Sequence, residues 1–113
     1  MKLTELIQEL NLDVRSAKGH LDREVTGGYA SDLISDVLAH GNEGNLWVTL
    51  QVHQNIVAVA SMKGLAGIIL VNAREPEQET VDKAETENVP IMVTEMATFE
   101  LVGKLYSLGV AGM

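Results

Sequence analysis

Arg74 is the residue of this sequence best suited to hold an anion, because a guanidinium can give two parallel hydrogen bonds to a carboxylate or phosphate. His53 and Asn55, Asn72, and Thr94, Glu95 and Thr98 resemble it in one respect: each follows an apolar segment. If those segments are parallel strands, all of these residues meet at the carboxyl edge of one sheet, where open α/β sheets take their ligands. A second group lies in HLDREVTGGYASDL, residues 20–33, which contains Asp22, Arg23, Thr26, Gly27, Gly28, Tyr29, Ser31 and Asp32. A charged pair near two adjacent glycines suits a phosphate cradle, a catalytic loop, or a tight turn braced by an Asp–Arg ion pair. The glycines also let a ligand or another chain come close to the backbone.

Sharper chemistries lack their residues. A phosphate loop needs glycines ending in Gly-Lys-Ser/Thr, and the sole Gly-Lys, at Gly103 and Lys104, is followed by Leu105 within an amphipathic pattern. No G-x-G-x-x-G follows a strand. His20, His40 and His53 are spread through different loops without metal-ligand spacing, so no metal site is expected. Ser31 lacks the Gly-x-Ser-x-Gly setting of a nucleophile elbow and suits a helix cap instead. Trp47 reads as core or interface. The anion constellation has a plainer account too: Asn55 and Thr98 are good helix caps, Arg74 can offset Glu75 and Glu77, and Glu95 can simply be solvated.

The segments that must place these residues fall into two textures. Leu3, Leu6, Ile7 and Leu10 recur at helical spacing, with Glu5, Gln8 and Glu9 opposite, which predicts an amphipathic helix over 3–10. NLDVRS then supplies a short strand, residues 20–33 a turn-rich segment, and Asp32 to Leu38 a short helix capped by Ser31. HGNEGN marks a loop.

From Leu46 the pattern is βαβαβα. LWVTLQV, GIILVN and VPIMVTE are apolar strands. NIVAVASMKG alternates like a strand, but the need for a crossover between parallel strands makes it a helix, capped by Asn55 and stopped at Gly64. Pro76 suits the first turn of the next helix, and Thr98 to Leu108 forms the last, with Phe99, Val102, Leu105 and Tyr106 on one face. GVAGM is a short edge strand or a frayed tail. The expected architecture is a three-layer α/β domain with a mainly parallel sheet flanked by helices, spanning residues 1–113 as a single domain.

Composition narrows the partners. With 16 acidic and 8 basic side chains, the net charge of −8 repels nucleic acid and anionic membrane surfaces. The longest apolar run, Gly67 to Val71, is far short of the ~20 residues that cross a bilayer. There are no cysteines, which excludes thiolate chemistry and fits a cytoplasmic protein. Leucines and acids mix in the first ten residues, so no targeting segment is expected there.

Asp22-Arg23 followed by Thr26-Gly27-Gly28, with Tyr29, Ser31 and Asp32 behind, resembles the signature segment of the DRTGG domain family. Glu24 and Val25 separate Arg23 from Thr26, so the name-giving letters are not contiguous. The resemblance implies a fold like the amino-terminal domain of HPr kinase/phosphorylase. It also implies the settings in which such domains occur: between CBS domains of some inorganic pyrophosphatases, beside phosphotransacetylase-type enzymes, or alone. Across these settings the family looks regulatory or dimerising.

Two functions remain open. One is a non-catalytic regulatory and dimerisation module, needing no cofactor, that pairs with itself and serves a partner enzyme or senses a small anionic metabolite or nucleotide. The other is a ligand-binding or enzymatic site at the carboxyl ends of the strands.

Overall fold

The computed structural model describes residues 1–112 of the chain. Helix α1, Leu3–Leu10, opens with the Glu5 carboxylate accepting the Lys2 backbone N–H at 2.9 Å and closes at Asn11, whose φ of 53° turns the chain back. Strand β1, Asp13–Val14, and a single 3-10 turn, Lys18–His20, lead to β2, Gly27–Ala30. Then follow α2, Ile34–His40; β3, Asn45–Thr49; α3, Asn55–Lys63; β4, Gly67–Leu70; α4, Gln78–Glu87; β5, Ile91–Val93; and α5, Thr98–Ser107.

The five strands form one sheet in the order β1-β5-β4-β3-β2. Strands β2 to β5 are parallel, and β1 runs antiparallel to β5, with Asp13 opposite Val93. Residues of β3, β4 and β5 are buried on both faces, which is why they read as unbroken apolar runs. Because the parallel strands follow one another in a single direction, crossovers of one hand put α2, α3 and α4 on one face. There Val37, Ile56, Val57, Ala60 and Ala84 pack on Trp47, Ile68, Leu70 and Ile91. The other face is covered by α1 and α5, whose Leu3, Leu6, Leu101 and Leu105 pack on Leu46, Val48, Ile69 and Met92. The expected three-layer α/β architecture is therefore present. Among the described residues, no helix is long and apolar enough to cross a membrane.

Several local expectations need correction. The segment at 27–30 is a parallel strand, not a turn, and it pairs Tyr29 with Trp47. Helix α2 starts at Ile34 rather than Asp32, because the Asp32 carboxylate is committed to the end of β3. Ser31 does not cap it: its hydroxyl accepts the Leu33 N–H at 3.2 Å, ahead of the helix. Asn55 is the first helical residue of α3 and Gln54 the cap, although Gly64 does end the helix at φ 64°. Pro76 precedes the α4 cap, Glu77.

On α5 the buried pair is Leu101 and Leu105, while Phe99 and Tyr106 face outward. Residues Val110 to Gly112 form no strand. They lie beside β2, with the Gly28 N–H donating to the Ala111 carbonyl at 3.0 Å, and Met113 lies outside the described residues.

Candidate functional site

Strand β2 divides the DREVTGGYASD segment between opposite ends of the sheet. At the amino end, Asp22 pairs with Lys2 at 2.8 Å rather than with Arg23. The Arg23 guanidinium instead donates to two carbonyls, Ala66 at 3.4 Å and Asn88 at 3.2 Å, and joins the loops that precede β4 and β5. Partial burial lowers its pKa from the usual arginine value. The Thr26 hydroxyl donates to the Glu43 carbonyl at 2.7 Å, and the Thr26 N–H to the Gly44 carbonyl at 3.0 Å. Arg23 and Thr26 thus use their polar atoms on this chain's own backbone.

At the carboxyl end the same holds. Oδ1 of Asp32 accepts the Thr49 hydroxyl at 2.9 Å and the Leu50 N–H at 2.7 Å, which ties β2 to the end of β3. The Trp47 indole N–H donates to the Ser31 carbonyl at 2.8 Å. Tyr29 donates its hydroxyl to Asp36 at 2.9 Å, His40 lies 3.1 Å from the other oxygen of that carboxylate, and the two rings stack with centroids 6.5 Å apart.

The Tyr29 hydrogen bond, followed by those of Ser31 and His40, holds the Asp36 carboxyl below the usual aspartate pKa, while Arg15 does the same to Glu75 through two hydrogen bonds. Depressed carboxylate pKa values give stability that is present above the unfolded values of about 4 and is lost as pH falls through the folded ones. Acid titration of unfolding should therefore show declining stability below about pH 4. The double variant Asp36→Asn, Glu75→Gln should show a shallower decline; an unchanged slope would assign the acid response to other carboxylates.

The anion candidates share one edge but form no cluster. His53 pairs with Glu77 at 2.9 Å and Arg15 takes Glu75, so neither acid balances Arg74, which has no ion pair among the described residues. Asn55 heads α3 without capping it, and Thr98 heads α5, whose cap is Ala97. Glu95 lines a shallow depression with Asp13, Thr94 and Lys104.

The connections leaving β4 and β5 go to opposite faces, which is the topological position where a ligand crevice opens in such sheets. Here two backbone hydrogen bonds close it: the N–H of Asn72 donates to the Met96 carbonyl at 2.9 Å and that of Ala73 to the Thr94 carbonyl at 2.8 Å. Asn72 and Ala73 both adopt left-handed conformations, at φ 55° and 56°, to make this contact.

An apolar concavity lies elsewhere, between α5 and the β2 edge. It is a groove of about 170 Å³ lined by Gly28, Ala30, Val48, Val102, Leu105, Tyr106 and Val110, among others, and no charged side chain lines it. Gly28 and Ala30 leave it unfilled, since they project little or nothing from that face of β2. A Cβ on Gly28 would meet Val110 at 3.6 Å and the Leu46 carbonyl at 3.7 Å, both ordinary contacts, so the monomer alone does not demand glycine there. Of the residues that line this groove, Val102, Leu105 and Tyr106 were marked in the sequence by their helical spacing on α5, whereas Val110, beyond the helix, carried no such signal. Among the described residues, no group of three or more His, Cys, Asp or Glu is arranged to hold a metal ion.

Comparison with known proteins gives two findings. The family model described as "DRTGG domain" matches residues 5–108. Among solved structures, the chain is similar to the CBS and DRTGG domains of the regulatory region of Clostridium perfringens pyrophosphatase, described as complexed with an activator, diadenosine tetraphosphate. The two share 12% identity with a TM-score of 0.66, over 88% of this chain and 44% of that one, so this chain spans less than half of its structural neighbour. No curated protein matches the chain.

Proposed function

The chain belongs to the DRTGG domain family, and from that premise we propose that residues 1–113 act as one regulatory module that pairs with a second copy and has no catalytic centre of its own. One observation carries the proposal. The side chains with catalytic potential are spread over both ends of the sheet and largely bonded to this chain's own groups, whereas an exposed apolar face on α5 borders an apolar groove. Contiguous exposed apolar surface next to a cavity is the mark of an interaction site. The module reports to a partner enzyme in the cytoplasm, and the regulatory pyrophosphatase region that shares its fold supports such a role.

A second reading keeps a small anionic metabolite or nucleotide at the carboxyl edge. It is favoured by the absence of an ion pair for Arg74 among the described residues, and by helices α3, α4 and α5, which begin at that edge without a side-chain cap. Native mass spectrometry over a concentration series, with and without adenine nucleotides, separates the two. A dimer that forms without added nucleotide is the expected result, and a chain still monomeric at about 100 μM, where typical weak specific pairing is populated, overturns the pairing. A mass increment from nucleotide that disappears in Arg74→Ala would transfer the function to the carboxyl edge.

A further inference from the structure

Phe99 is the only phenylalanine of the chain, and it is 94% exposed. In a protein with only four aromatic residues, the one most useful for a core stands in solvent. It is not alone, because Val102 and Tyr106 follow it at spacings of three and seven and so share its side of α5. Tyr106 is 57% exposed and Val102 is half-buried, and both also line the groove beside β2. The other strongly exposed apolar residues, Leu33 and Met62, stand singly on separate elements and are ordinary surface.

We infer that a second copy of this chain covers this face, with the two α5 helices packed antiparallel about a two-fold axis that passes between Val102 and Gly103. The inference rests on the reading of the chain as a self-pairing module and adds the surface and the register. Three features of α5 support it.

An antiparallel register centred between positions 102 and 103 places Phe99 of each copy opposite Tyr106 of the other, at the mouth of the other's groove. It thereby makes two aromatic pairs from one surface, as an isologous interface requires. The same register places Val102 opposite Gly103. A Cβ on Gly103 would meet nothing within 4 Å inside this chain, so its missing side chain has no purpose in the monomer, yet it lets a partner helix come close.

Charge fits as well. Glu100 and Lys104 flank the stripe, and among the described residues neither has an ion-pair partner. Across the two-fold axis Glu100 of each copy lies beside Lys104 of the other. The face is locally neutral on a chain whose net charge of −8 otherwise repels its own copies, so self-association is favoured here over the rest of the surface.

Sedimentation velocity on the full chain tests this. Phe99→Asp should weaken the dimer roughly 100-fold or more, as loss of a central aromatic anchor does. The substitution is safe for the fold, since the side chain is exposed and an acid in the first turn of a helix favours that helix. Glu100→Lys alone should also weaken the dimer by setting like charges together, and the swap Glu100→Lys with Lys104→Glu should restore it. Because residues 100 and 104 are also i,i+4 neighbours within one helix, the unfolding free energy of each variant is measured alongside, and a restoration of pairing larger than any change that this intrahelical pair makes to that free energy is the expected result. If the wild type is monomeric, both the pairing function and this interface fail. A dimer that survives Phe99→Asp overturns the interface and leaves the pairing function standing. Loss with Phe99→Asp but no restoration by the swap overturns the antiparallel register.

Discussion

Replacing Gly44 by alanine should lower the unfolding free energy by about 3 kcal/mol. Gly44 adopts φ 81°, and a Cβ there would lie 2.6 Å from Cγ2 and 2.7 Å from Oγ1 of Thr26. The substitution combines the cost of a left-handed conformation, about 1–2 kcal/mol for a residue with a side chain, with a collision. Thr26 cannot easily turn aside, because its hydroxyl donates to the Glu43 carbonyl and accepts the Asn45 amide at 3.4 Å. In a Thr26→Ala background the nearest surviving contact would be the residue-26 Cβ at 3.2 Å, so the cost of Gly44→Ala should fall by about 1 kcal/mol. Urea unfolding of the four proteins in this cycle measures both terms. A Gly44→Ala protein within about 0.5 kcal/mol of wild type would show that the junction between β2 and the loop before β3 yields freely.

Ser16→Ala should be comparably damaging for a different reason. Ser16 is fully buried, its hydroxyl donates to the Val89 carbonyl at 2.8 Å, and its oxygen accepts the Ile91 N–H at 2.9 Å. One side chain thus completes the hydrogen bonding at the start of β5, where β1 is too short to do so. Its removal orphans a buried donor and a buried acceptor, at about 1–3 kcal/mol for each group. The expected loss is about 3 kcal/mol, accompanied by faster hydrogen exchange at the Ile91 amide. A protein of unchanged stability whose Ile91 amide remains protected would mean that water enters and replaces the hydroxyl.

The parallel sheet was legible because β3, β4 and β5 are buried on both faces and so appear as apolar runs, and because the chain between them must cross over. That requirement correctly assigned α3 despite its strand-like alternation. Residues 27–30 were harder. Two glycines favour turns on propensity, yet here they continue a strand at the sheet edge, where Gly28 meets the Ala111 carbonyl. Helix α5 carries two apolar stripes, Leu101 with Leu105 and Phe99 with Val102 and Tyr106, and periodicity alone does not say which one faces the sheet. Ser16 left no trace in the sequence, since burial of a lone serine depends on strands that arrive more than seventy residues later.

Of the candidate site, the carboxyl-edge residues follow from strand order, so their common location could be read in advance. That Arg23 would tie down backbone carbonyls, and that Asn72 and Ala73 would close the crevice between β4 and β5, depends on loop geometry. Ala73 in particular adopts a conformation that its residue type does not favour.

The strand order also governs how the chain can assemble. Strands β2, β3, β4 and β5 are laid side by side in the order in which a ribosome delivers them, so each new strand–helix unit finds its neighbour already waiting. Of the first fourteen residues, only Met1 to Leu3 meet an early neighbour, at residues 22–25. Strand β1 pairs only with β5, with Asp13 opposite Val93, and Leu3 and Leu6 share a core with Leu101 and Leu105. Strand β1 and the apolar side of α1 therefore precede the rest of the domain in sequence and complete their docking after it. Closing that long loop is an entropic toll that falls late in folding and slows it. Until β5 and α5 have emerged, the nascent domain holds an unsheltered leucine helix and an uncovered sheet face, a state in which chaperones would find their substrate.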